Sequence, residues 1–218
     1  MTDQSKAIFS GLEESIIETV ELVPGLGILL EGVRAYNESI EEQQRIQFTN
    51  EISKRLDELE NTFKDTCYQT EEGEEVVKKI VASALNSEYN DKINYFANAL
   101  FNAHKDFKQL NRLKFVEMIR QLSKPALVIL AKEHELHQER GESFSPQVLQ
   151  EQLIQETELP PHLVESCVKE LSSVGVFSST IEFYDDGSQS SYFRNGAVAY
   201  TEFTNQFIEF IKNPTSKL

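Results

Sequence analysis

The chain has 218 residues, 36 acidic against 21 basic side chains, and a formal net charge of −15. That balance disfavours broad attraction to nucleic acid or anionic membranes and favours solubility and basic partners. Two distant cysteines, Cys67 and Cys167, with only six prolines and nine glycines, argue against a disulfide scaffold or a disordered chain. They lead to the expectation of a reduced, cytoplasmic protein long enough for one large or two small cores.

Residues 4–22 place Ile8, Phe9, Leu12, Ile16 and Val20 at helical spacing, and no signal peptide is evident ahead of them. The run Leu22-Val23-Pro24-Gly25-Leu26-Gly27-Ile28-Leu29-Leu30 carries no charge. It is too short to span a bilayer, and Pro24 with Gly25 breaks it into a corner between helices. Val23, Leu26, Leu29 and Leu30 are its candidate contacts with a membrane surface or a partner. Burial in a helix–helix corner is the plainer expectation.

A long helix is expected over residues 31–67. Phe48, Ile52, Leu56, Leu59 and Phe63 fall at spacings of 4, 4, 3 and 4, an approximate heptad seam. Pairs such as Glu51/Arg55 and Glu60/Lys64 support its outer face. Such a stripe needs a cover, either later helices or a second copy. Self-association through these five residues, giving a homo-oligomer, is the expectation.

The acidic stretch Thr70-Glu71-Glu72-Gly73-Glu74-Glu75 reads as a linker leading into a helix start that favours carboxylates. Helical patterns then follow over 75–85, 91–104, 107–123 and 126–137, with Pro125 breaking the last two apart. Leu110, Leu113, Phe115, Val116, Ile119 and Leu122 are the apolar positions of the third. The helix ending near His137 is expected to pack on the elements after it.

From Ser143 onward the pattern is helix, turn, helix, two-stranded wing, helix. Ser145 and Pro146 suit an N-cap and a first helical position, and Leu159-Pro160-Pro161 ends that helix. His162–Val174 follows with Leu163, Val164, Cys167, Val168 and Leu171 on one face. Gly175 is expected in the left-handed region after it. Thr180–Tyr184 and Ser191–Arg194 flank the turn signal Asp185-Asp186-Gly187-Ser188. Phe203, Phe207, Phe210 and Ile211 then mark a terminal helix. The expected fold is therefore mainly α: a helical bundle over 1–141, then a winged-helix domain over 142–218 with a small antiparallel β-wing.

Charge separates two uses of that domain. From Ser143 to the end there are four Lys/Arg (Lys169, Arg194, Lys212, Lys217) against ten Asp/Glu. The second helix offers only Lys169, beside Glu165 and Glu170. Phosphate recognition needs several placed cations, so protein docking is expected over DNA binding. The strongest basic run is Lys105, Lys108, Arg112, Lys114, Arg120 and Lys124, opposed only by Asp106 and Glu117. With Lys169 and Arg194, it supplies the candidate contacts for nucleic acid or an acidic partner. A solvated helix face is the plainer expectation for it.

His134-Glu135-Leu136-His137 departs from the zinc-hydrolase spacing of two histidines four apart, so no metal is expected there. Cys167 is expected to pack as a small hydrophobe. The chain has no Gly-x-Ser-x-Gly, P-loop or dinucleotide fingerprint. Neither a cofactor nor catalysis is expected.

At Leu22-Val23-Pro24-Gly25-Leu26-Gly27 and at Asp91-Lys92-Ile93-Asn94-Tyr95-Phe96-Ala97-Asn98-Ala99-Leu100, the chain resembles a loose group of bacterial helical proteins. These carry a trailing winged helix, and some are associated with abortive infection and phage defence. The resemblance implies a cytoplasmic accessory or defence protein and supplies no catalytic residues. The function expected is that of a non-enzymatic interaction protein that self-associates and docks a protein partner. A DNA-binding regulator and a membrane-active effector are the alternatives.

Overall fold

The computed structural model describes residues 47, 48, 50–52, 54, 55, 70–140, 146–176 and 201–214. Those residues are mainly helical. The apolar corner expected at 22–30, most of the long helix expected over 31–67, and the wing strands expected at 180–184 and 191–194 lie outside them. The chain divides into two compact units. One is Met1–Arg120 with Phe210–Leu218, the other Gln121–Glu209.

In the first unit, helix α1 spans Glu71–Ala84. Thr70 is its N-cap, its hydroxyl accepting from the Gly73 amide at 3.0 Å. The acidic stretch is therefore the first helical turn, where Glu71, Glu72 and Glu74 face the positive end of the helix dipole. A 3₁₀ turn, Ser87–Lys92, begins at Asn86, whose side chain accepts from the Glu88 amide. Helix α2 follows over Ile93–Asn102 and helix α3 over Gln109–Gln121.

Helix α1 packs on α2, burying Val76, Val77, Ile80 and Val81 together with Phe96, Ala97, Leu100 and Phe101. Phe107, Phe115 and Phe210 form an aromatic cluster with ring centroids 5.4–5.9 Å apart, two of the three pairs edge-on, an arrangement aromatic quadrupoles favour.

Buried polar groups tie this unit together. The Arg55 guanidinium donates to Asn98 Oδ1 at 2.8 Å and to Glu51 Oε2 at 2.7 Å. Asn98 Nδ2 in turn donates to the Ile211 carbonyl at 2.8 Å, and Asn102 Nδ2 donates to the Lys212 and Phe210 carbonyls at 2.8 and 3.2 Å. Two asparagines one turn apart on α2 thus satisfy carbonyls that a helix end leaves without partners. Lys92 does the same at the end of α3. Its Nζ donates to the carbonyls of Ile119 and Arg120, both at 2.8 Å, and sits 4.7 Å from the centre of the Tyr89 ring.

In the second unit, α4 spans Lys124–Arg140, α5 Pro146–Thr157 and α6 Pro161–Ser173. Helix α4 packs on both α5 and α6, and α5 on α6, so α4 packs on the elements after it, as expected. Pro125, expected to separate two helices, lies in the first turn of α4, where its missing amide costs nothing. Ala126, Leu127, Ile129, Leu130, Leu153, Val164, Cys167, Leu171, Val176 and Phe207 are buried.

Glu158 ends α5 at φ 56. Gly175, at φ 79, ends α6 as expected; the Gly175 amide reaches the Ser172 carbonyl and the Val176 amide the Leu171 carbonyl, both at 3.1 Å. Helix α7, Glu202–Ile211, starts at Thr201, whose hydroxyl accepts from the Thr204 amide at 3.1 Å.

Candidate interaction surfaces

Helix α6 is the element a helix-turn-helix reading would place against DNA. Its exposed positions are Pro161, His162, Ser166, Lys169 and Ser173. Val164, Cys167 and Leu171 turn inward, while Leu163 and Val168 are half-buried. The cation of that outer face is engaged: Lys169 Nζ lies 3.5 Å from Glu165 Oε1, one turn earlier. Glu170 points the other way. Its carboxylate accepts from the Ser123 amide and, at 2.8 Å, from the Ser123 hydroxyl. Ser123 Oγ also accepts from the Ala126 amide at 3.3 Å. The carboxylate thereby completes the N-terminus of α4.

Cys167 is 1% exposed. Burial pushes its thiol above the usual range, the Glu170 charge adds to this, and a hydrogen bond with Ser123 offsets part of it. A high thiol pKa in a closed site is the opposite of what a nucleophile needs.

The basic run of the first unit separates into two sets. Arg112 donates to the Lys105 carbonyl at 3.0 Å. Arg120 pairs with Glu117 at 2.9 Å and lies over the Tyr89 ring at 5.5 Å. Glu117 also lies 3.8 Å from Lys79. These cations serve intramolecular contacts. Lys108 and Lys114, by contrast, are exposed, and so is Lys124 in the second unit. Arg194 lies outside the described residues.

Between Lys108 and Lys114 stands Leu110, 77% exposed. It was expected among the apolar positions of its helix. The buried face of α3 is set by Phe115, Val116, Met118 and Ile119, and Leu110, five residues before Phe115, falls on the far side of a 3.6-residue helix.

The start of α3 is held beside the start of α1. Gln109 Nε2 donates to the Glu72 carbonyl at 2.8 Å and approaches Glu75 Oε2 at 3.5 Å. On α1, Glu71, Glu72, Glu74, Glu75 and Lys78 line a recess of about 470 Å³, in which Lys78 pairs with Glu74. An exposed acidic turn therefore adjoins an exposed leucine flanked by lysines.

Of the seam expected to self-associate, Phe48 is 0% and Ile52 2% exposed. Both are covered within a single chain, so the described part of the stripe faces the chain's own core. Leu56, Leu59 and Phe63 lie outside the described residues, as do Val23, Leu26, Leu29 and Leu30. Among the described residues, no helix is long and apolar enough to cross a membrane, and no three His, Cys, Asp or Glu side chains are grouped to hold a metal ion. His134 and His137 are half-buried on α4.

Sequence reasoning missed the roles of Lys92, Asn98, Asn102 and Glu170. Asn98 and Asn102 at consecutive turns of an otherwise apolar helix, with Lys92 just ahead of it, were the available signal for the first three, because a buried polar side chain requires a partner. Compared with protein-family models, curated proteins and solved structures, the chain matches none.

Proposed function

We propose that this chain is a non-enzymatic interaction protein whose C-terminal part is a winged-helix module that docks a protein partner. The consecutive packing of α4, α5 and α6 supports the helical half of that module. The wing rests on the alternation in 180–184 and the turn signal Asp185-Asp186-Gly187-Ser188, after which 191–194 can pair back as the second strand. The resemblance at residues 22–27 and 91–100 carries a bacterial accessory role in phage defence into the same reading. Self-association belongs to it as well.

The observation that carries the choice of partner is the charge on α6. Its exposed face holds His162, Ser166, Lys169 and Ser173, and Lys169 is paired with Glu165. A phosphate-tracking helix needs several cations available to displace counterions, each contributing to a steep salt dependence. This face presents a mostly neutral polar surface, suited to contact with protein.

The test is capture of tagged full-length protein at low salt, with and without nuclease. A defined protein that co-elutes after nuclease, and is lost when Ser166 and Lys169 are replaced by Glu, is the expected result. Nucleic acid that disappears with nuclease or higher salt would replace this reading with a DNA-binding regulator.

A further inference from the structure

We propose that a second copy of this chain docks on the surface formed by Leu110, Lys108 and Lys114 together with the first turn of α1, across a two-fold axis. This inference rests on the reading of the chain as self-associating, and it moves the contact away from the stripe at Phe48 and Ile52, which the chain covers by itself.

Three observations carry it. Leu110 is a large apolar side chain left 77% exposed, on a helix whose buried face is Phe115, Val116, Met118 and Ile119, and such a side chain gains when a partner removes it from water. Lys108 and Lys114 flank it, both exposed, while Arg112 and Arg120 of the same run are engaged internally. The Gln109–Glu72 hydrogen bond fixes the neighbouring surface as the acidic turn of α1, with Glu71 and Glu72 exposed.

A positive patch beside a negative patch is self-complementary under two-fold rotation. Lysines of one copy meet carboxylates of the other twice over when the axis passes between the basic and the acidic patch, and the leucines are covered beside it. The recess lined by Glu71, Glu72, Glu74, Glu75 and Lys78 gives an incoming lysine a place to enter.

An anionic membrane or a nucleic acid fits this surface less well. Either is an extended anionic surface that would also meet the Glu71–Glu75 carboxylates, and two lysines release few counterions. A second copy places opposite charges against both halves of the patch. The patch is small beside a standard interface, so the dimer is weak and sensitive to salt.

The experiment is sedimentation of the full-length chain over a concentration series, at about 0.1 M and about 1 M salt, where the screening length falls from about 10 to about 3 Å. The wild type is expected to form a dimer that dissociates in high salt. The Lys108→Glu/Lys114→Glu variant and the Glu71→Lys/Glu72→Lys variant are each expected to be monomeric, with at least tenfold weaker association. An equimolar mixture of the two is expected to restore the dimer, since the reversed charges of each variant then face opposite charges on the other. Leu110→Asp, at an exposed position, tests the apolar contribution, and unchanged circular dichroism confirms that each variant is folded.

A dimer that survives both charge reversals and Leu110→Asp overturns the placement while leaving self-association standing. A wild type that is monomeric at every concentration overturns both. Failure of the mixture to reassociate overturns the two-fold pairing.

Discussion

Glu170, on the helix that a DNA-binding reading would send into a groove, instead holds Ser123 through both its amide and its hydroxyl. The contact joins the middle of α6 to the start of α4. Ser123→Ala removes an N-cap hydroxyl and is expected to cost about 1–2 kcal/mol. Glu170→Ala is expected to cost about 1–3 kcal/mol by leaving the Ser123 amide without its acceptor. The double variant should cost less than the two together, because each change removes the same contact. Denaturant midpoints of the four proteins measure this, and strict additivity would show that the pair is not coupled.

The chain Arg55–Asn98–Ile211 offers a larger effect. Asn98→Leu keeps the branched outline, with somewhat greater bulk, but removes both the acceptor for Arg55 and the donor to the Ile211 carbonyl. A buried guanidinium and a buried carbonyl each losing a partner should destabilise the protein by about 3 kcal/mol or more. Asn98→Asp retains the acceptor and loses only the donor, so a smaller cost is expected. Thermal unfolding that ranks Asp below Leu in stability would reverse this assignment.

At Gly175 the backbone alone predicts the outcome. Its φ is +79, and an added Cβ would meet nothing within 4 Å. Gly175→Ala should therefore cost about 1–2 kcal/mol, the penalty of a left-handed residue with a side chain, without any packing term. Gly175→Asn should cost less, since asparagine tolerates that region. Equal losses for the two variants, read by denaturation, would point to a steric cause instead.

These sites also mark what the sequence made legible. The helix stops at Leu159-Pro160-Pro161 and Gly175, the start at Pro146 and the inward face of Val164, Cys167 and Leu171 followed from local chemistry, because each depends on neighbours within a turn or two. Leu110 did not follow. Its spacing matched the apolar pattern, and only the phase set by Phe115 to Ile119 turned it outward. Asn98 and Glu170 were illegible for another reason: their partners are more than 40 residues away, and a polar side chain in sequence carries no label of what it will meet. For the candidate surfaces, the count of basic residues was correct, but which were engaged internally depended on carbonyls and rings that only the fold brings close.

Acid should expose the contribution of Glu51. Partial burial raises its carboxyl, but hydrogen bonds and attraction from Arg55 and Lys54 outweigh this and hold it below the usual range. A carboxyl depressed in the folded state contributes stability above its unfolded pKa, and that stability is lost as pH falls through the lower folded value. The difference between wild type and Glu51→Gln should thus be constant above about pH 5 and shrink in more acidic solution. Stability profiles of the two proteins from neutral to acidic pH provide the check, and parallel curves throughout would remove Glu51 from the acid response.

Cys167 reports on the opening of the second unit. It is 1% exposed and its thiol is pushed up by burial and by Glu170, so both access and ionisation oppose reaction. In a Cys67→Ser background, a thiol reagent at mildly alkaline pH should label Cys167 slowly in native buffer and rapidly in denaturant. The native rate should follow the population of open molecules. Adding Ser123→Ala, at about 1–2 kcal/mol, should then speed labelling by about 5- to 30-fold. Rapid labelling of the folded parent would mean that Cys167 is reachable without opening. A parent that is slow but unmoved by Ser123→Ala would separate thiol protection from the Ser123–Glu170 contact, leaving burial on the inward face of α6 as its source.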